Sequence, residues 1–142
     1  MSDKMPLEES YMCLFKFMAL SKHRVIALGA EHGLTGMQTM MIVLLESPRP
    51  MNAFSKMFNC DASNITGLVD GLEEKELASR YEDPNDRRIK IVQLEPRGKK
   101  LRKHMFKHLG TQDNPIFSKL DEDELETFVH LLQKLTAQTQ DI

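Results

Sequence analysis

Cysteine is scarce in this chain. Only Cys13 and Cys60 occur, far apart and without CxxC spacing, so neither a disulfide framework nor a cysteine-rich zinc site is indicated and both are expected as reduced thiols. No apolar run approaches the ~20 residues that a membrane-spanning helix needs. The opening "MSDKMPLEES" lacks the basic start and the apolar stretch of a signal peptide. The expectation is therefore a cytoplasmic protein that does not engage a membrane. Internal repeats and low-complexity tracts are also missing. So are a Ser/His/Asp arrangement in a recognisable context, a glycine loop able to cradle phosphate, and paired carboxylates in a plausible cleft. Enzyme chemistry has no foothold, and no cofactor is expected.

At 142 residues the chain is long enough for one domain with a proper core and short for two. Its 41% hydrophobic and 28% charged residues are ordinary for a globular protein. The net charge of −2 would argue against a nucleic-acid partner if it were spread evenly, but it is not. Residues 1–74 carry 6 Lys/Arg and 9 Asp/Glu, residues 75–110 carry 11 and 5, and residues 111–142 carry 2 and 7. The middle block alone is strongly basic.

Apolar residues at helical spacing (Leu14, Phe17, Met18, Val25, Leu28) predict a first long helix over 7–31. "HGLTG" breaks it. A second helix, "GMQTMMIVLLE" over 36–46, is so apolar that most of its circumference must be covered, and "SPRP" ends it because proline cannot continue the ladder. Asn52 is a candidate N-cap for a short helix to about Phe58, and Asp61 for another from Ala62 to about Lys75. In that helix Ile65, Leu68, Val69 and Leu72 form one buried stripe, leaving Ser63, Asn64, Thr66, Gly67, Asp70 and Gly71 on the opposite face. Ser79–Glu82 and Ile89–Leu94 read as a hairpin around "DPND". The second strand has Ile89 and Ile91 on one face and Val92 and Leu94 on the other, so both faces are expected to be partly covered. Pro96 suits the first turn of the next helix. A last helix follows Asp121 as cap, with acids in its first turn and Leu125, Phe128, Leu132 and Leu135 as a stripe.

Two short helices joined by "NCDA" and followed by a hairpin are the order of a winged helix-turn-helix. Residues 61–101, "DASNITGLVDGLEEKELASRYEDPNDRRIKIVQLEPRGKKL", resemble the DNA-binding region of the MarR family of dimeric bacterial and archaeal regulators. The likeness lies in a Ser-Asn-x-Thr-Gly-Leu-Val-Asp recognition helix, an Arg after it, an Asp-Pro-x-Asp-Arg-Arg wing and a Leu-x-Pro-x-Gly entry to the next helix. The helix order on either side extends it over nearly the whole chain. The resemblance implies a mainly α fold with a small β-hairpin wing, one domain over 1–142. Within it, 1–34 and 111–142 would supply dimerisation helices, and 35–110 the winged helix-turn-helix and linking helix. It also implies a homodimeric transcriptional regulator, a repressor, on double-stranded DNA with a pseudo-palindromic operator, its half-sites about one helical turn (~34 Å) apart.

The residues expected to meet DNA are Ser63, Asn64, Thr66, Gly67, Asp70, Arg80, Asp86, Arg87 and Arg88. Ser63, Asn64 and Thr66 lie near a helix N-terminus, where side chains reach base edges or phosphates and the dipole attracts phosphate. Gly67 and Gly71 each cost about 1 kcal/mol relative to Ala inside a helix, which points to close backbone approach by a partner or to packing against the wing. Arg87 or Arg88 at the hairpin tip suits a narrow minor groove. Asp86, two residues before Arg88, is suited to hold it in one rotamer, as MarR-type wings are thought to do.

The sequence also departs from the family pattern. Gly67 and Gly71 stand where many members carry Arg, which implies fewer phosphate contacts and a shallower salt dependence. Glu76 replaces a customary glycine after the recognition helix, so the connector is expected to bend differently. Glu95 replaces a customary Thr cap.

Family members commonly bind small aromatic or phenolic anions in a cleft beside the winged domain, and the adaptable thioethers of Met12, Met18, Met37, Met40 and Met41 could line one, though a methionine stripe at helical spacing is more often an ordinary core. His104 and His108 stand at i, i+4, a chelating spacing found in the family's zinc sensors. However, Gln38, Thr39 and Met40 occupy the places of those sensors' other ligands, so no metal is expected. Cys13 lies where the family's hydroperoxide sensors keep a reactive cysteine, but only Tyr11 is near, and apolar Met12, Leu14 and Phe15 raise a thiol pKa. Thiol redox or zinc sensing are alternative inputs. A winged-helix ligand-binding or protein-interaction module without sequence-specific DNA binding is the alternative function.

Overall fold

The computed structural model describes residues 5–110 and 116–137. The predicted C-terminal dimerisation region, 111–142, therefore falls partly outside the described residues. The elements run α1 (Met5–Ala30), α2 (Gly36–Leu44), β1 (Arg49–Pro50), α3 (Met51–Phe58), α4 (Ala62–Glu74), β2 (Ala78–Glu82), β3 (Lys90–Leu94), α5 (Pro96–Leu109), a 3-10 turn (Phe117–Lys119) and α6 (Glu122–Thr136). The fold is mainly α with one small antiparallel sheet, and the chain divides into two compact units, Met1–Met40 and Met41–Ile142.

In the first unit Gly29 marks a close approach. A Cβ there would fall 1.7 Å from the Thr39 hydroxyl oxygen, so only glycine lets α1 lie against the start of α2. Thr35 and Gln38 cap α2 reciprocally: the Gln38 N–H donates to Thr35 Oγ1 at 3.2 Å and the Thr35 N–H donates to Gln38 Oε1 at 3.1 Å. The turn before it uses Gly33 at φ 71°.

In the second unit the sheet has the order β1-β3-β2, with Arg49 opposite Val92, and Ala78 through Glu82 opposite Leu94 through Lys90. The central position of β3 explains its ambiguous phase: Ile91, Val92 and Leu94 are all buried because the strand is paired on both edges and covered on both faces. The α4 stripe is buried as expected at Ile65, Val69 and Leu72, each fully covered and each stabilising by about 1.5–3 kcal/mol; Leu68 is half-buried. Gly98 lets α5 press onto the connector before β2, since a Cβ there would lie 1.9 Å from the Leu77 carbonyl oxygen.

Four local expectations are corrected. The second helix stops at Leu44 rather than Glu46. The chain then pairs Arg49 and Pro50 with β3 as a third strand, a pairing set by a partner about forty residues away and invisible to local pattern. Pro50, extended at φ −60°, is the residue before α3, and Asn52 lies inside that helix instead of capping it. The backbone at Glu76 does not depart from the glycine-like conformation. It adopts the left-handed conformation (φ 58°) that glycine usually supplies, because its N–H donates to the Glu73 carbonyl and the Leu77 N–H to the Leu72 carbonyl, both at 2.9 Å, while Leu77 is buried. Glu95 does precede α5 but gives it no side-chain cap; its carboxylate accepts a short hydrogen bond from the Ser79 hydroxyl of β2.

Candidate nucleic-acid interface

The second unit carries α3, the turn 59–61, α4 and the hairpin loop 83–89. Asn59, at φ 49° and ψ 51°, reverses the chain after α3 in the left-handed region, which Asn tolerates better than most residues. Asp61 then caps α4, accepting from the Asn64 N–H and from the Ser63 hydroxyl, each at 2.8 Å. These two bonds, the first larger, hold the Asp61 carboxyl below its ordinary pKa. The Asp61 carboxylate also sits at the N-terminal end of α4, where it adds a like charge in front of any phosphate the helix dipole attracts.

Beyond the cap, Ser63, Asn64, Thr66, Gly67 and Asp70 are all exposed on one face of α4. The Thr66 hydroxyl is tied back to the Ala62 carbonyl at 2.9 Å, which leaves its methyl and an acceptor lone pair outward. Gly67 is open: a Cβ built there meets nothing within 4 Å. Packing against the wing therefore does not account for it.

Asp70 and Arg80 are brought together. Arg80 Nη2 donates to Asp70 in a short ion pair and to Glu73 Oε2 at 3.2 Å, while the Arg80 backbone N–H donates to Glu73 Oε1 at 3.0 Å. The Asp70 hydrogen bond raises the Arg80 pKa further above its ordinary value, against an opposing desolvation. The pair thus fastens the recognition helix to the first wing strand. Sequence reading missed Glu73; its signal was the i, i+3 spacing from Asp70, which places both acids on one helix face.

At the tip of the wing, the Asp83 N–H donates to the Ile89 carbonyl at 2.9 Å and the Asn85 N–H to the Asp83 side chain at 2.8 Å, so the loop closes seven residues rather than the four of "DPND" alone. Asp86 grips Arg88 in a fork: Nε donates to Oδ1 and Nη2 to Oδ2, both at 3.0 Å, and the Arg88 N–H adds a third bond to Oδ1 at 3.1 Å. Asp86 is held below its ordinary pKa by the Arg88 side chain first and its N–H second, and Arg88 is raised by Asp86. The grip leaves Arg88 90% exposed with Nη1 uncommitted. Arg87 is exposed beside it and makes no ion pair with another described residue. The wing therefore presents one oriented and one free guanidinium.

The other predicted positions lie apart from this surface. Met12 and Met18 are exposed on α1, Met37 and Met40 half-buried, and Met41 fully buried, offering no surface in this state. The His104 and His108 rings stand 4.7 Å apart on α5, and among the described residues no group of three His, Cys, Asp or Glu could hold a metal ion. Cys13 is exposed and Cys60 half-buried. Gln38 is committed to the α2 cap and the Thr39 hydroxyl donates to the Thr35 carbonyl at 2.8 Å, and both residues are buried. No helix among the described residues is long and apolar enough to cross a membrane.

Residues 38–90 match the family model described as "MarR family". The chain is 28% identical over 107 residues, 74% of each sequence, to the HTH-type transcriptional regulator MhqR of Bacillus subtilis (strain 168). It is 30% identical over 98 residues, 68% of this chain and 70% of the relative, to the uncharacterized HTH-type transcriptional regulator YpoP of the same organism. Among solved structures it superposes on the transcriptional regulator BldR from Sulfolobus solfataricus with a TM-score of 0.74 and 25% identity, over 97% of this chain and 99% of that one.

Proposed function

The chain belongs to the MarR family of DNA-binding, winged-helix transcriptional regulators, and we propose that it acts as a homodimeric repressor on a pseudo-palindromic operator, released by a small aromatic effector. The observation that carries the DNA reading is the wing: a guanidinium oriented by a bidentate carboxylate and left almost fully exposed, next to a second that is free. Such a pair suits a narrow minor groove. Ser63, Asn64, Thr66 and Gly67 are the proposed major-groove face. Asp70 and Arg80 act with them by fixing the angle between recognition helix and wing. Because α4 carries no Lys or Arg and three acids, phosphate attraction falls on the wing.

The homodimer reading rests on two uncovered apolar faces. On α1, Leu7, Tyr11, Met12, Phe15 and Met18 are each more than half exposed; on α6, Leu125, Val129, Leu131, Leu132 and Leu135 are exposed over a capped, otherwise charged helix. Faces of this size mark an interaction surface. Regions 1–34 and 111–142 are the proposed dimerisation parts of one domain, with 35–110 as the winged helix-turn-helix and linking helix. The effector reading rests on the adaptable thioethers of Met12, Met18, Met37 and Met40.

Selection from a random double-stranded pool tests the reading. Enrichment of an inverted repeat with half-sites about ten base pairs apart is expected. A pool that stays unenriched would favour a winged-helix interaction module in its place.

A further inference from the structure

A cavity of about 240 Å³ opens in the second unit at the foot of the wing, where the end of β3 meets the first turns of α5 and the segment after α2. Arg102 crosses it under unusual restraint. Its Nε donates to the Val43 carbonyl at 3.0 Å, and its guanidinium carbon sits 4.7 Å from the centre of the Phe106 ring. These two contacts anchor the guanidinium through Nε and the ring, and no ion pair with another described residue takes up its Nη groups. Lys99 lines the same cavity, and neither cation makes an ion pair with another described residue. The one acid on the wall, Glu46, is exposed and likewise makes none, which leaves the lining with an excess of one positive charge. The remaining wall is made by Leu45, Pro48 and Leu94, aliphatic and, for both leucines, buried, together with the polar side chains of Ser47 and Gln93.

A planar guanidinium fork matches a carboxylate, with a lysine as second point charge. Gln93 Nε2 is turned to the Ser79 hydroxyl at 3.4 Å, so beside the two cations Ser47 adds one hydroxyl to an anionic headgroup, while the aliphatic wall covers a short hydrocarbon chain rather than further phosphate oxygens. The volume lies below the ~300–1,000 Å³ of pockets for drug-sized ligands, which excludes a nucleotide. We infer that this cavity binds a short-chain aliphatic monocarboxylate, headgroup on Arg102 and Lys99, chain along Leu45, Pro48 and Leu94. None of the methionines named above lines it. It also lies at the opposite end of β3 from the wing loop, about 13 Å along the strand at ~3.3 Å per residue, so the carboxylate and DNA need not compete.

The test is titration of the full chain with hexanoate, hexanamide and inorganic phosphate by calorimetry and methyl NMR. Saturable hexanoate binding is expected, with shifts at the Leu45 and Leu94 methyls and affinity at least about tenfold above hexanamide or phosphate. Lys99→Gln should weaken hexanoate several-fold, and Arg102→Lys, which keeps the charge but loses the fork, about tenfold or more. Should Arg102→Lys fail to fold, Lys99→Gln carries the test, because that side chain is exposed and unpaired. The proposal is overturned by wild-type protein that does not bind hexanoate, by hexanamide or phosphate binding as tightly, by unchanged affinity in Lys99→Gln, or by shifts confined to Met12, Met18, Met37 and Met40.

Discussion

Gly67→Ala separates what the protein needs from what its partner needs. Gly67 sits in the interior of α4, exposed, with nothing within 4 Å of the position a Cβ would take. Replacing it by alanine removes the glycine penalty of about 0.8–1.0 kcal/mol without a clash inside the chain. For a chain of this length that gain raises the melting temperature by roughly 2–4 °C. On DNA the sign reverses. If glycine is retained so that the duplex comes close to the helix backbone, an added methyl overpacks the contact at about 1–3 kcal/mol, a loss of roughly 5- to 150-fold in affinity per half-site. Calorimetric melting and fluorescence anisotropy on a selected site read the two effects on one preparation. A variant that melts higher and binds DNA as well as wild type refutes the close-approach reasoning. One that melts lower refutes the open geometry at Gly67.

Further outcomes are expected elsewhere. Glu76→Gly should stabilise by about 1 kcal/mol in thermal melts, since glycine carries no left-handed penalty and the lost Glu76–Arg97 contact, 3.5 Å long and exposed, is weak. The Asp86 carboxyl, depressed by Arg88, should titrate below the ordinary aspartate range; its contribution is complete above the ordinary value and lost as pH falls through the lowered one. Carboxyl NMR should therefore show the wing pair unchanged from pH 5 to 8 and broken only in acid, with the signal absent in Asp86→Asn. Leu72→Ala, at a fully buried position, should cost about 2–5 kcal/mol in denaturant unfolding. Leu132→Glu on α6, where the side chain is 37% exposed, should leave the helical signal intact and lower the mass in sedimentation if that face joins two copies.

What was legible in the sequence was local. Asp61 and Asp121 cap because the acceptor, the free N–H groups and the apolar stripe all lie within one turn. The exposed face of α4 followed from the 3.6-residue period, and the Asp86–Arg88 grip from a two-residue spacing. What escaped depended on distant partners. The third strand exists only because Arg49 and Pro50 find Val92 and Ile91. Arg80 is drawn to Asp70 and Glu73 by the packing of β2 on α4. Glu76 read as a departure from pattern, yet burial of Leu77 and two backbone hydrogen bonds hold it in the geometry glycine would have taken. Residue type at that position was the weaker constraint.

Contact between the oriented wing arginine and DNA is open to test by a salt series. Wild type and Arg88→Ala are titrated by anisotropy against the selected inverted repeat at several salt concentrations. Loss of one phosphate or minor-groove contact per protomer predicts weaker binding at every salt concentration, with the slope of log affinity against log salt shallower by ~0.9 for each contact removed. Coincident affinities and equal slopes for the two proteins would contradict it.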